Sequence, residues 1–315
     1  MKKLSPLRLG LATVGLLATL LASSCGGSGE LVATFAPQRI LVFGDENSVL
    51  TSTGNKYSIN ALNADSTINC FSNPLWIQVL GNQYGIGYPE CSLVGDVATP
   101  RGKIFAAPAT GVADIQAQIA AAAGTSGFTS TDLTTIYTGL KDIVAIYQTM
   151  SSGSDLDAAR SAAEAAGAVL GQQVNFLADA GARVLIVTVP NVGLTPYALA
   201  EKAAHTDFDR ADALTQITNR FNARLRSTIY NDGRRIGLIQ LDEYVGVVIG
   251  CPGCYGYISV SIPACTVALP NCTTATLVPT ATSNNFLWAN DRLVGATAQQ
   301  QTGNLAVTRA INNPF

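Results

Sequence analysis

Two kinds of run repeat along this chain, one continuously apolar and one with helical spacing. Ile40-Leu41-Val42-Phe43 is apolar throughout and is followed by Gly44-Asp45. A run with no polar face suits an inner strand of a parallel sheet covered on both sides. Leu133 to Tyr137, Arg183 to Val189 and Ile236 to Leu241 read as further strands. Between them lie helical stretches. Pro74 to Tyr84 is short and amphipathic, with proline at its start. Ala113 to Ala123 is Ala-rich and ends at Gly124, and a helix follows Gly139-Leu140-Lys141-Asp142 to Met150. Ser154-Asp155 caps a long helix to about Ala180, which Gly181 stops. Asp207 to Tyr230 is a further helix, and Gly295 to Ile311 closes the chain. Cys251 to Ala281 shows neither period and reads as an irregular excursion. Strands alternating with helices predict an α/β fold of three layers, α/β/α, around a central parallel sheet. Such sheets bind ligands at the carboxyl ends of their strands, so Gly44-Asp45 is the first place to look for chemistry.

The N-terminus lacks this alternation. Met1-Lys2-Lys3 and Arg8 are basic, Leu9 to Leu21 is apolar, and Leu21-Ala22-Ser23-Ser24-Cys25 follows. The apolar run is too short for a full membrane span and reads as a signal peptide. The order of basic, apolar and small residues before a cysteine resembles a bacterial lipoprotein signal. That resemblance implies a signal peptide over 1–24, lipidation of Cys25, a lipidated tether over 25–37 and a domain over 38–315. Gly26 to Gly29 suits a flexible tether. No aspartate follows Cys25, so the expected destination is the outer membrane of the cell envelope. An ordinary signal peptide with an incidental cysteine is the alternative.

Cysteine usage agrees with export. Setting Cys25 aside leaves Cys70, Cys91, Cys251, Cys254, Cys265 and Cys272, an even number. Closeness along the chain favours pairing each with its neighbour in that order. The Cys-Pro-Gly-Cys run has a second reading as a redox motif, but its Gly- and Tyr-rich surroundings favour a structural bridge. With one histidine in 315 residues, no zinc site and no other metal cluster is expected. Charged residues are 13% and the formal net charge is −2, with no basic run to neutralise phosphates, so nucleic acid is not an expected partner. No cofactor is expected.

At the end of the first strand, Phe43-Gly44-Asp45 resembles block I of the SGNH/GDSL hydrolases, a family of lipases and esterases. Further pieces resemble the same family in order. They are Val189-Pro190-Asn191-Val192-Gly193-Leu194-Thr195-Pro196, then Asn219 to Leu225, then Phe286 to Leu293. The resemblance covers most of the chain after the signal. It implies a flavodoxin-like three-layer fold and a serine esterase site, yet the chemistry-bearing positions differ. Glu46 stands where the family has its serine, and Lys141 where it has an oxyanion asparagine. Asn290 and Leu293 stand where it has its aspartate and histidine. Pro108-Ala109 falls on the family's donor glycine, and a proline there donates nothing.

An acyl-transfer site needs a nucleophile, a base to take its proton and donors for the oxyanion. The chain therefore reads as a pseudoenzyme: an envelope lipoprotein that binds a small molecule or an envelope partner in a modified cleft. The alternative is an active esterase with displaced residues, for which Ser48 is the fallback nucleophile. His205 reads as a loop histidine outside any motif. Asp45 and Glu46, being adjacent at a turn, are expected to diverge rather than act as a glycosidase pair. Opposite charges at Glu46 and Lys141 suggest an ion pair plugging the old oxyanion site.

Overall fold

The computed structural model describes residues 35–91 and 99–312. The expected signal peptide, Cys25 and the Gly-rich stretch lie outside the described residues. Phe35-Ala36-Pro37, the last residues of the expected tether, belong to the compact unit that starts at Phe35.

Five strands build the central sheet: β1 (Arg39–Gly44), β2 (Gly102–Ile104), β3 (Asp132–Tyr137), β4 (Arg183–Val187) and β5 (Ile236–Ile239). All pair in parallel in the order β2-β1-β3-β4-β5. This is the doubly wound, flavodoxin-like order, whose switch point lies between β1 and β3. The expected α/β three-layer architecture is present.

The continuous apolar runs make sense once the two faces are separated. Leu41 and Phe43 join Ile136, Val184 and Ile186 in one core layer. That layer is covered by α2 (Val112–Ser126), α3 (Leu140–Gln148), α4 (Leu156–Asp179) and α6 (Arg210–Thr228). Ile40 and Val42 join Leu133, Leu185 and Val187 on the opposite face. There they meet α1 (Trp76–Gln83), α7 (Leu241–Gly250) and α8 (Ala296–Asn312). Alternate residues of one strand thus serve two cores.

Among the elements that escaped the sequence pattern are β2, α5 (Pro196–Ala204) and α7. β2 is three residues with a lysine in the middle, too short to show a period. α5 starts at the last residue of the Pro-x-x-Gly-x-x-Pro run, with Pro196 in its first turn and the Thr195 hydroxyl accepting from Ala198 N–H. α7 follows β5 almost directly and is rich in valine, which hides a helix behind strand-like residues. The expected strand to Leu241 therefore stops at Ile239, and that to Val189 stops at Val187. The long helix is entered through Asp155, whose carboxylate accepts from the Ser151 and Ser152 N–H groups.

The excursion after α7 contains β6 (Ser259–Pro263), paired in parallel with β7 (Phe286–Trp288). Disulfides join Cys70 to Cys91, Cys251 to Cys254, and Cys265 to Cys272. Cys272, Ala264 and Phe286 pack with Ile59 in a small core separate from both faces of the sheet.

Candidate functional site

The tip of β1 lies against the tip of β3, with Gly44 opposite Tyr137. This is the switch point of the sheet, where the chain opens a crevice. Gly44 has φ +132°, and a Cβ there would sit 2.1 Å from the Tyr137 carbonyl oxygen. Only glycine lets the two strand ends approach so closely before the chain turns. The Gln118 side chain of α2 holds the tip from the side, accepting from Gly44 N–H at 2.8 Å and donating to Gly44 C=O at 3.0 Å.

The adjacent acids then diverge. Asp45 turns inward and is 2% exposed, accepting from Asn47 N–H (3.0 Å) and Asn47 Nδ2 (2.9 Å). Burial, with the Glu46 charge beside it, pushes its carboxyl up to about 8. Glu46 is half-buried, opens a short 3₁₀ turn to Ser48, and faces the crevice. Its Oε2 accepts from the Ala109 N–H at 3.0 Å.

This contact corrects the reading of the second block. Pro108 indeed has no donor, but Ala109, one residue on, keeps one. Ala109 adopts φ +59°, a left-handed conformation that favours glycine. Its backbone N–H is thus turned toward Glu46, whose carboxylate occupies it.

The expected Glu46–Lys141 ion pair does not form. Lys141 is exposed in the first turn of α3, and its Nζ lies 3.7 Å from Asp114 Oδ2 on α2. Each charge finds a less costly partner: Glu46 takes a backbone donor, and the ammonium stays in water instead of being desolvated. Gly139, just before Lys141, has φ +120° and abuts the Phe221 ring. Asp142 accepts from Val112 N–H (3.0 Å) and Asp114 from Gly111 N–H (2.7 Å), so both acids cap α2. Burial pushes the Asp142 carboxyl up.

On the far side of the crevice, Asn290 Oδ1 accepts from the Arg292 (2.9 Å) and Leu293 (2.6 Å) N–H groups, closing a turn before Leu293. Leu293 is 5% exposed and offers an apolar wall to the crevice. The crevice has a volume of 440 Å³ and is lined by Glu46, Tyr57, Pro263, Cys265, Ala268, Leu269, Asn290, Asp291 and Leu293. Tyr57 lines the crevice together with Glu46, and burial, with the Glu46 charge, pushes its hydroxyl up. Asp291 pairs with Arg292, whose guanidinium also lies over the Tyr197 ring.

Ser48 is not at the crevice. It is fully buried, and its Oγ accepts from the Trp76 indole N–H at 3.2 Å. This contradicts its use as a displaced nucleophile, since a side chain packed in the core meets neither substrate nor base. His205 is exposed at the end of α5. The crevice thus joins Glu46, Asn290 and Leu293, and leaves Ser48, Lys141 and His205 out. Among the described residues, no group of three or more His, Cys, Asp or Glu could hold a metal ion. Among the same residues, no helix is long and apolar enough to cross a membrane.

Sequence reasoning missed the Ala109 donor, Tyr57 and Gln118. Ala109 carries no mark in the sequence of its left-handed backbone. Tyr57 and Gln118 reach the site from a loop and a helix with no motif of their own.

No family model matches the chain, and no curated protein does. Several solved structures are similar to it. One is a member of the lipolytic protein G-D-S-L family from Veillonella parvula DSM 2008, at 12% identity over 87% of this chain and 96% of that one, TM-score 0.43. Another is Axe2, an acetylxylan esterase from Geobacillus stearothermophilus, at 12% over 88% and 96%, TM-score 0.40. A third is the lipase Lip_vut3 from a goat rumen metagenome, at 11% over 87% and 97%, TM-score 0.45. At such values no residue role or activity follows for this chain.

Proposed function

We propose that this chain is an exported lipoprotein whose SGNH/GDSL-like domain binds a ligand in the Glu46–Leu293 crevice without hydrolysing it. The observation that carries the reading is the Glu46 carboxylate seated on the Ala109 N–H. Ester hydrolysis in that family needs a nucleophile at this turn and free donors for a developing oxyanion. Here a fixed negative charge stands in the nucleophile's place and already uses one donor. An oxyanion forming beside it would be repelled. Leu293 supplies no nitrogen to take a proton. What remains is a crevice with a carboxylate, a tyrosine and apolar walls, which suits holding a molecule.

The test is short-chain ester turnover by the purified protein. Turnover is expected to match that of buffer. Glu46→Ser alone restores nothing, because a serine without a base is a weak nucleophile. Robust wild-type turnover above that of buffer would overturn the proposal and support the esterase alternative. Anchoring is tested separately: a fatty-acid probe should label the expressed chain, and Cys25→Ser should abolish the label and the membrane fractionation.

A further inference from the structure

The Cys251–Cys254 bridge differs from the other two in what it contributes. It spans 3 residues, against 21 for Cys70–Cys91 and 7 for Cys265–Cys272. Closing so small a ring restricts the unfolded chain least. The turn it spans is also held without it. Pro252 enters the turn with its φ already fixed, and Cys254 N–H donates to Cys251 C=O at 3.0 Å. Tyr257 N–H donates to Pro252 C=O at 3.0 Å, and Tyr257 is itself buried. The bridge is therefore redundant for the local fold.

Exposure separates it further. Both Cys251 and Cys254 are exposed, whereas Cys272 is fully buried and Cys91 is 5% exposed. Val247 and Tyr255 beside it are exposed as well. From Tyr244 to Asn290 the chain carries no acidic or basic residue and no histidine. No charge of that segment repels an incoming thiolate, and none stabilises a protein thiolate.

We infer that Cys251–Cys254 is a thiol–disulfide exchange site that accepts electrons from an external dithiol. One thiolate of the dithiol attacks Sγ of one cysteine, the S–S bond breaks, and the other sulfur leaves as a thiolate and takes up a proton. The second thiolate of the dithiol then attacks the mixed disulfide and releases the second protein thiol. The dithiol is oxidised to its disulfide and the protein pair is reduced, two electrons and two protons passing between them. Cys251 follows the last turn of α7, where the helix carbonyls disfavour a thiolate. The pair is thus an acceptor of two electrons from one dithiol, and not a catalyst of disulfide exchange in other proteins.

The experiment titrates the folded protein with dithiothreitol, traps free thiols with an alkylating reagent and maps the peptides. Cys251 and Cys254 should be modified at dithiothreitol concentrations at least about tenfold below those that open the other two bridges. Opening of all three together, or of either other bridge first, overturns the inference. A Cys251→Ser/Cys254→Ser variant should keep the thermal midpoint and both remaining disulfides. A large fall in that midpoint would show the bridge to be structural and would equally overturn it.

Discussion

The central sheet and the excursion after α7 are held together by different means. In the sheet, β1 is buried on both faces, and its alternate residues are shared between two cores. In the excursion, Ile258 and Ile262 are more than half exposed, a short strand pair replaces the wide sheet, and the Cys265–Cys272 disulfide ties the loop. One region spreads its stability over many apolar contacts. The other concentrates it in a few links and a few buried side chains. The crevice takes one wall from each: Glu46 from the tip of the sheet, and Pro263, Cys265 and Leu269 from the excursion. Damage to the sheet should therefore remove the molecule, whereas damage to the excursion should reshape the crevice on an intact scaffold.

The sharpest way to break the sheet side is Gly44→Ala. With φ +132° and a Cβ 2.1 Å from a backbone oxygen, the β1 and β3 tips must part. A loss above about 4 kcal/mol is expected, read by urea unfolding or by failure to obtain folded protein. Second in size is the buried acid at the same tip. Asp45 binds its proton more tightly folded than unfolded, so its contribution is fully present below about pH 4 and is lost as pH rises to about 8. Asp45→Asn should remove that slope and exceed the wild type in stability above pH 8, measured by unfolding across pH. Lys56 works in the opposite direction. It is fully buried with its Nζ on the Ser72 carbonyl, and burial pushes it down to about 8. It should make stability rise between about pH 8 and 10.5, a slope that Lys56→Met abolishes.

On the excursion side, Cys265→Ser with Cys272→Ser should cost about 2–3 kcal/mol. Hydrogen exchange should accelerate in residues 259–289 while β1, β3 and β4 keep their protection. Loss of protection in the sheet would erase the distinction between the two regions. The smallest effect belongs to Lys141→Ala, within about 0.5 kcal/mol, because its pairing with Asp114 is exposed to solvent on both sides.

The contrast also governs how much the sequence revealed. Strands β1 and β4 were legible because burial on both faces writes a continuous apolar run, whereas β3 carries Thr134 and Thr135 inside its run and β5 a glycine. The site's location was legible for the same reason, since it follows the first such run. The contacts of Glu46 were not. Residue types at Glu46 and Lys141 suggested mutual attraction, but the choice between partners depended on which donor lay nearer. That was decided by the left-handed backbone of Ala109 and by the cap geometry of α2 and α3. Nothing periodic encodes either one. Ser48 misled in a similar way: a polar residue beside the turn reads as available, yet the Trp76 indole claims it inside the core.

β2 has a consequence for how molecules of this protein meet one another. It is the outermost strand on its side of the sheet, three residues long, with Lys103 exposed at its centre. A newcomer strand adding there would find few free peptide groups and would have to lie alongside a charged ammonium. Concentrated solutions of the folded protein should therefore resist growth by strand addition at this margin, and Lys103 is the residue that guards it.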